Sequence, residues 1–483
     1  MMKKYMQYAK NKDCDLIWLD KIPEHWEILS FRNILVERNE RNSPIKSKER
    51  LSLSINKGVT LYADKTTNLD RFKDDFTKYK LAHEDDLVLN SMNMIVGAVG
   101  VSNYFGCVSP IYYTFTSDLN NCNSTKFYEY LFRSKIVQGV LFSLGRGLIA
   151  KDRGDGKYNT LRLKVSRGDL RSLKLPNPSC LEQNQIASFL NYKIAKINRF
   201  ILKKKQLIKL LNEQKAAIIS QAVTKGLDPN AKMKPSGIEW LGDIPEHWEV
   251  WRLKYLIIGR LKYGANESGG DFKENDPRYI RITDFDKSGK LRDDTFCSLN
   301  SKLAEPYLLK EGDILFARSG GTVGKTFQFK NYNGKACYAG YLIKAEPNNQ
   351  LIKSDYLFEY TNSGVYDTWK SFIFNKATIE NIGADKYSQL PVILPTVKEQ
   401  IGIVNFIKSE TKVIDKTIST IEKELSLVEE YKTALIAEAV TGKIDVRDFE
   451  IPEILEEGSY EELEEELSIA AEGETEYETD DIE

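Results

Sequence analysis

The chain has 483 residues, room for two to four domains with ample core and far more than a small disulfide-stapled scaffold needs. Hydrophobic residues make up 41%, charged residues 29% and aromatics 11%, a balance that excludes a disordered or fibrous body, and no apolar run approaches the roughly 18 residues that cross a bilayer. The net charge of −1 hides an asymmetry: residues 448–483 hold 17 acidic side chains and no Lys or Arg, which leaves 69 basic against 53 acidic residues (70 less 17) before them, a net of +16 that suits a polyanionic partner.

In chain order, the opening MMKKYMQYAKNKDCD lacks the apolar stretch of a signal peptide, so a cytoplasmic location with no membrane partner is expected. WLDKIPEHWE at 18–27 then returns as WLGDIPEHWE at 240–249, eight positions of ten alike and offset by 222. Between 22 and 176 short β-rich runs such as DDLVLNSM and IYYTFT alternate with helical stretches such as TKFYEYLFRSKIVQGVLFS. An α+β fold is expected there, and again over 244–395, where RYIRITDF and GDILFARSGGTVGKTFQF have the same texture.

A long helix follows each region. With Lys204 and Lys215 filling the two gaps, Leu190, Ile194, Ile197, Ile201, Ile208, Leu211 and Ile218 fall at alternating spacings of four and three, the seam of a coiled coil. The second helix repeats the pattern at Ile407, Ile414, Ile418, Ile421, Leu425, Val428 and Leu435. Residues 181–222 carry eight basic and two acidic side chains, whereas 398–439 carry six basic and eight acidic, so the two helices are predicted to pair with each other; because the first ends beside the second domain and the second starts from it, an antiparallel arrangement is the economical one, though not forced. Further echoes, Glu182-Gln183 with Glu399-Gln400 and Ala222–Thr224 with Ala439–Thr441, make the chain a tandem duplication with pseudo-twofold character. The domains are then 15–176, a helix over 177–226, a linker over 227–243, a second domain over 244–395, a helix over 396–446 and an acidic tail over 447–483, expected to be disordered.

Self-contained chemistry is hard to find. SGGTVGKT at 319–326 has Ser319 where a phosphate loop needs its first glycine, and reads as a turn between strands. His25 and His247 fall at the same place in both repeats, which points to packing or capping, and His83 has no visible nucleophile or metal partner. The cysteines at 14, 107, 122, 180, 297 and 337 show no metal-ligand spacing and are expected as buried thiols. No catalytic residue and no metal ligand is assigned.

WLGDIPEHWEVWRLKYL, GDILFARSGGTVGKT, LPTVKEQIGIVNFI and LIAEAVTGKID, with the duplicated IPEHW, together resemble the specificity subunit of type I restriction-modification systems over about residues 15–446. The resemblance implies two tandem target-recognition domains separated by two long antiparallel coiled-coil helices. It implies a non-catalytic subunit that reads a bipartite, asymmetric target in double-stranded DNA. Two modification subunits and two restriction subunits are the expected partners. S-adenosylmethionine, ATP and magnesium belong to those partners, and no cofactor is expected in this chain. In the second domain Arg281, Arg318, Ser319 and Lys325 fall in segments resembling the family's recognition strands and loops, where Arg suits guanine edges and Lys suits phosphates. The matching segment of the first domain, NSMNMIVGAVG, offers Asn90, Ser91 and Asn93, and AKDRGDGKYNTLR adds Lys151, Arg153, Lys157 and Arg162. The competing class is a coiled-coil scaffold with two protein-interaction domains.

Overall fold

The computed structural model describes residues 5–64, 75–117, 122–148, 162–285, 289, 291–292, 294–320, 322–374 and 381–452. It divides into two compact units, Met1–Lys204 with Lys423–Glu483, and Lys205–Glu422. The acidic stretch from 453 onward lies outside the described residues.

In the first unit a hairpin of β1 (Asn11–Leu16) and β2 (Leu19–Pro23) leads into β3 (Glu27–Ser30). A four-stranded antiparallel sheet follows, built from β4 (Val36–Arg38), β5 (Leu87–Asn90), β6 (Val99–Val101) and β7 (Tyr112–Thr116) in the order β4-β7-β5-β6. All four residues of β5 are buried, so its run of apolar side chains serves both faces of the sheet. Helices α1 (Thr125–Arg133) and α2 (Lys135–Leu144) pack Phe127, Leu131, Phe132, Val137 and Leu141 into the core. β8 (Lys174–Asn177) then returns to pair antiparallel with β3, Leu175 opposite Leu29, and closes the domain where it began. Helix α3 (Cys180–Lys225) leaves from that closure.

The second unit uses the same parts in the same order. β9 (Met233–Pro235) and β10 (Asp243–Pro245) form the hairpin, and β11 (Glu249–Arg252) follows. β12 (Lys262–Tyr263), β13 (Ile314–Ala317), β14 (Thr326–Gln328) and β15 (Leu342–Ala345) make a sheet in the order β12-β15-β13-β14, with β13 buried throughout. Helices α4 (Ser354–Tyr360) and α5 (Gly364–Phe374) come next, then β16 (Pro391–Leu394), antiparallel to β11, then α6 (Val397–Val440).

Each buried tryptophan of the IPEHW repeat receives the end of a long helix. In the first unit Leu435, Ala439 and Val440 join the core that holds Trp26, and in the second Ile219, Ala222 and Val223 join the core that holds Trp248. Within the first unit Lys204 pairs with Glu424 at 2.8 Å and Lys432 donates to Asn198 at 2.8 Å. One helix therefore ascends there as the other descends. In the second unit Lys215 meets Asp415 at 2.6 Å, again cation from α3 and carboxylate from α6. Of the sequence-predicted seam, Leu190, Ile201, Ile407, Ile414, Ile421 and Leu435 are buried, and Ile194, Ile197, Ile208, Leu211, Ile218, Ile418, Leu425 and Val428 are half-buried.

One expectation is corrected. Cys122 and Cys180 are joined in a disulfide, 58 residues apart in sequence, so they are not buried thiols. Linear spacing carries no trace of this pair, because the return of β8 to β3 is what brings the start of α3 back to the loop before α1. Cys107, Cys297 and Cys337 are free and buried, and Cys14 is free and half-buried.

Both long helices stop at a glycine with positive φ, Gly226 at +75° and Gly442 at +73°, the left-handed position that relieves the last carbonyls. A Cβ on Gly226 would sit 3.1 Å from the Trp248 ring, whereas on Gly442 it would press into Pro23 as well as 3.1 Å from Trp26. Gly226→Ala should cost about 1–2 kcal/mol from the backbone alone, and Gly442→Ala more, because the Pro23 ring cannot swing aside. Calorimetric unfolding of the two variants checks the order.

Candidate nucleic-acid interface

The repeated Glu-Gln pair sits in the first turn of each long helix and clasps the domain behind it. In the first unit Glu182, 4% exposed, accepts hydrogen bonds from the Tyr8 hydroxyl at 2.6 Å and from His25 Nε2 at 2.9 Å. Gln183 is fully buried: its Oε1 accepts from the Ser124 N–H at 2.8 Å, and its Nε2 donates to Asn123 Oδ1 at 2.7 Å and the Pro178 carbonyl at 2.9 Å. In the second unit Glu399 accepts from His247 Nε2 at 2.8 Å and Trp248 Nε1 at 3.1 Å. Gln400, also fully buried, accepts from the Lys353 N–H at 2.7 Å and donates to the carbonyls of Leu351 and Pro395, each at 2.9 Å. The two carboxylates differ in their donors: Glu182 takes the Tyr8 hydroxyl and Trp26 Nε1 has no partner among the described residues, whereas Glu399 takes Trp248 Nε1. Both histidines are thus joint-forming groups.

The candidate reading residues lie around the end of the buried central strand in each sheet. In the second unit Arg318 follows β13. Its N–H donates to the Tyr341 carbonyl at 3.0 Å, and its guanidinium lies 4.9 Å from the Tyr263 ring centroid. Its Nε is buried with no partner among the described residues. Ser319 is half-buried and bridges to Asn381, and Lys325 is exposed beyond the turn that connects β13 to β14. Gly324 closes that turn with φ of +80°, so the glycine-rich stretch is a strand connection as expected. Arg281 is placed differently: its Nε and Nη2 grip the two oxygens of buried Asp284 at 3.3 and 3.0 Å, and that pairing raises the pKa of its guanidinium. Its donor fork is therefore largely committed within its own turn.

In the first unit Asn90 ends β5, 8% exposed, and its Oδ1 accepts from the N–H groups of Met92 and Asn93 at 3.0 and 3.4 Å. Ser91 is fully buried and its hydroxyl has no partner among the described residues, whereas Asn93 is exposed. Arg162 opens a strand, Arg162–Lys164, paired with Arg146–Leu148. Lys151, Arg153 and Lys157 lie outside the described residues. Two aromatic groups escaped sequence reasoning, Tyr263 under Arg318 and Tyr341, 67% exposed beside it. The only sequence cue for either is a tyrosine next to glycine, which is too common to select. An arginine laid on an exposed tyrosine, with a further tyrosine and a lysine at the rim, offers cationic donors and ring faces to a polyanion carrying bases.

Residues 245–429 match the family model described as the type I restriction modification DNA specificity domain, and they cover β11 to α6 with the clasp and the Arg318 turn. The chain resembles the specificity subunits of type I restriction-modification systems. The MjaVIII specificity subunit of Methanocaldococcus jannaschii is 27% identical over 300 residues, 59% of this chain and 65% of that relative, just under two thirds of its length. A putative MjaX specificity subunit of the same organism is 23% identical over 456 residues, 92% of this chain and 99% of the relative. Among solved structures, a chain described under complex assembly and conformational transition of the type I R-M system superposes with a TM-score of 0.60 at 14% identity, over 88% of this chain and 99% of that one. That likeness concerns the fold. No helix among the described residues is long and apolar enough to cross a membrane.

The second clasp has a pH signature. Burial pushes the Glu399 carboxyl up, but donations from Thr396, His247 and Trp248 outweigh it and hold the group at about 2, below its ordinary 4.5. A depressed folded-state value contributes stability above the ordinary value that is lost as pH falls from about 4.5 toward 2. Glu399→Gln should therefore flatten the acid limb of stability in that window and leave the slope above pH 5 unchanged, as urea titrations at stepped pH would read.

Proposed function

We propose that this chain is the DNA-reading, non-catalytic subunit of a cytoplasmic type I restriction-modification complex. Each unit reads one half of a bipartite, asymmetric target in double-stranded DNA. The observation that carries the reading is the specificity-domain match over 245–429, whose sheet order and Glu-Gln clasp recur in the first unit. On this reading the chain is a tandem duplication. Recognition domains occupy 15–176 and 244–395, and the helices over 177–226 and 396–446 form an antiparallel coiled coil that fixes the gap between half-sites. The ion pairs between the two helices within each unit support that role. The linker over 227–243 and the acidic tail over 447–483 complete the division.

Two modification subunits and two restriction subunits would supply the chemistry, with S-adenosylmethionine, ATP and magnesium bound in those partners and adenine as the methyl acceptor. The net of +16 before residue 448 supports the duplex as ligand, since the phosphate backbone sets most of the affinity of such readers. Two units with one scaffold and different side chains at the strand ends, Asn90 in one and Arg318 in the other, support two different half-sites.

Mapping adenine methylation by single-molecule sequencing, in cells carrying the modification subunit with and without this gene, tests the reading. A split adenine-containing motif should vanish with the gene, and an unchanged methylome with an active partner present would refute it. Arg318→Ala should weaken or relax one half of that motif and Asn90→Ala the other, each by about 1–3 kcal/mol, roughly 5- to 150-fold in discrimination. The same methylome read for each variant decides the assignment.

A further inference from the structure

Phe449, near the end of the described residues, rests on α3. Its ring lies 4.9 Å from that of Phe189 and 5.7 Å from that of Tyr192, and its carbonyl accepts from Gln185 Nε2. The same surface is cationic. Lys193 Nζ lies 5.2 Å from the Phe449 ring centroid, and Lys196 Nζ lies 4.6 Å from that of Tyr192. Lys203 follows two helical turns beyond Lys196, so the two share a face of α3, and both are exposed. Among the described residues, none of Lys193, Lys196 and Lys203 has a carboxylate partner.

Beyond Pro452 the chain has 31 residues, 453–483, with fifteen Asp or Glu and no Lys or Arg. At about 3.3 Å per residue that length could extend to ~100 Å, and the stripe from Lys193 to Lys203 is about 15 Å long at 1.5 Å per residue. Tethered a few residues from the stripe, these carboxylates meet it at an effective concentration in the millimolar range. We propose that the acidic segment 453–483 of this chain is the occupant of the Lys193–Lys196–Lys203 stripe on α3. The association is electrostatic and multivalent, needs no single fixed geometry, and shields the stripe from polyanions in solution. The contact stands apart from the proposed function, because it is made within one chain.

Zero-length carbodiimide cross-linking of the full chain, followed by peptide mass spectrometry, tests it. Amide links from glutamates of 453–483 should concentrate on Lys193, Lys196 and Lys203 at low salt and fall severalfold at 0.5 M salt, where exposed charges are screened within about 4–5 Å. Links spread as often over Lys254 and Lys398, or absent from the stripe, would overturn the proposal. A second arm reads the shielding. Deleting 453–483 should tighten binding to a non-cognate duplex by roughly threefold or more at low salt, and the double variant Lys196→Glu, Lys203→Glu should abolish that gain. An equal gain in both backgrounds would mean the stripe is not what the segment covers.

Discussion

The constraint on which the rest depends is the burial of Gln183 and Gln400 at the first turn of each long helix. A fully buried side-chain amide must find partners for its donors and its acceptor, and each group left unpaired costs about 1–3 kcal/mol. Both glutamines meet this with groups from their own domain, Ser124 and Pro178 of the main chain and the Asn123 side chain in one case, the main chain at Lys353, Leu351 and Pro395 in the other. The helix start is thereby fixed to the loop before α1 or α4 and to the end of the closing strand. The adjoining glutamates bind the IPEHW histidines and so tie the domain's opening to the same point. Each domain begins and ends at one place, and its long helix leaves from there in a set direction.

That closure explains why the strand ends can vary. The sheet, the β3–β8 and β11–β16 ribbons and the clasps carry most of the packing, so the exposed side chains on the turns after β5 and β13, Asn93 and Lys325 among them, can be chosen for a ligand. The Nε of Arg318, without a partner among the described residues, and its ring contact with Tyr263 are the strongest sign of such a choice. Arg281 is the counterexample: its fork is committed to Asp284, three residues on, and it supports its own turn.

Much of this was legible in the sequence, for identifiable reasons. Helical periodicity is local and survives without tertiary knowledge, so the long helices are readable from their apolar spacing. Repeated residues show up by self-comparison, so the IPEHW, Glu-Gln and Ala-Val-Thr echoes mark the joint without any knowledge of its geometry. What the echoes cannot give is partnership across distance. Two of the partners of Gln183, the Ser124 N–H and the Asn123 side chain, lie about 60 residues before it, Tyr263 lies 55 residues before Arg318, and Cys122 meets Cys180 only after the domain has closed. The Arg281–Asp284 pair was in principle readable as an i, i+3 couple, but charge complementarity alone does not say which arginines are already spent.

The central claim is that each domain is a closed module on a common joint, carrying its own sequence choice. Replacing residues 27–177 by residues 249–394 joins equivalent ends of the two ribbons, so the chimera should fold. Its methylation motif, read with the native modification subunit and with assembly verified, is the most direct test. The account predicts that the half-site of the first unit disappears and that of the second unit takes both places. Retention of the original two-part motif by an assembled chimera would contradict it.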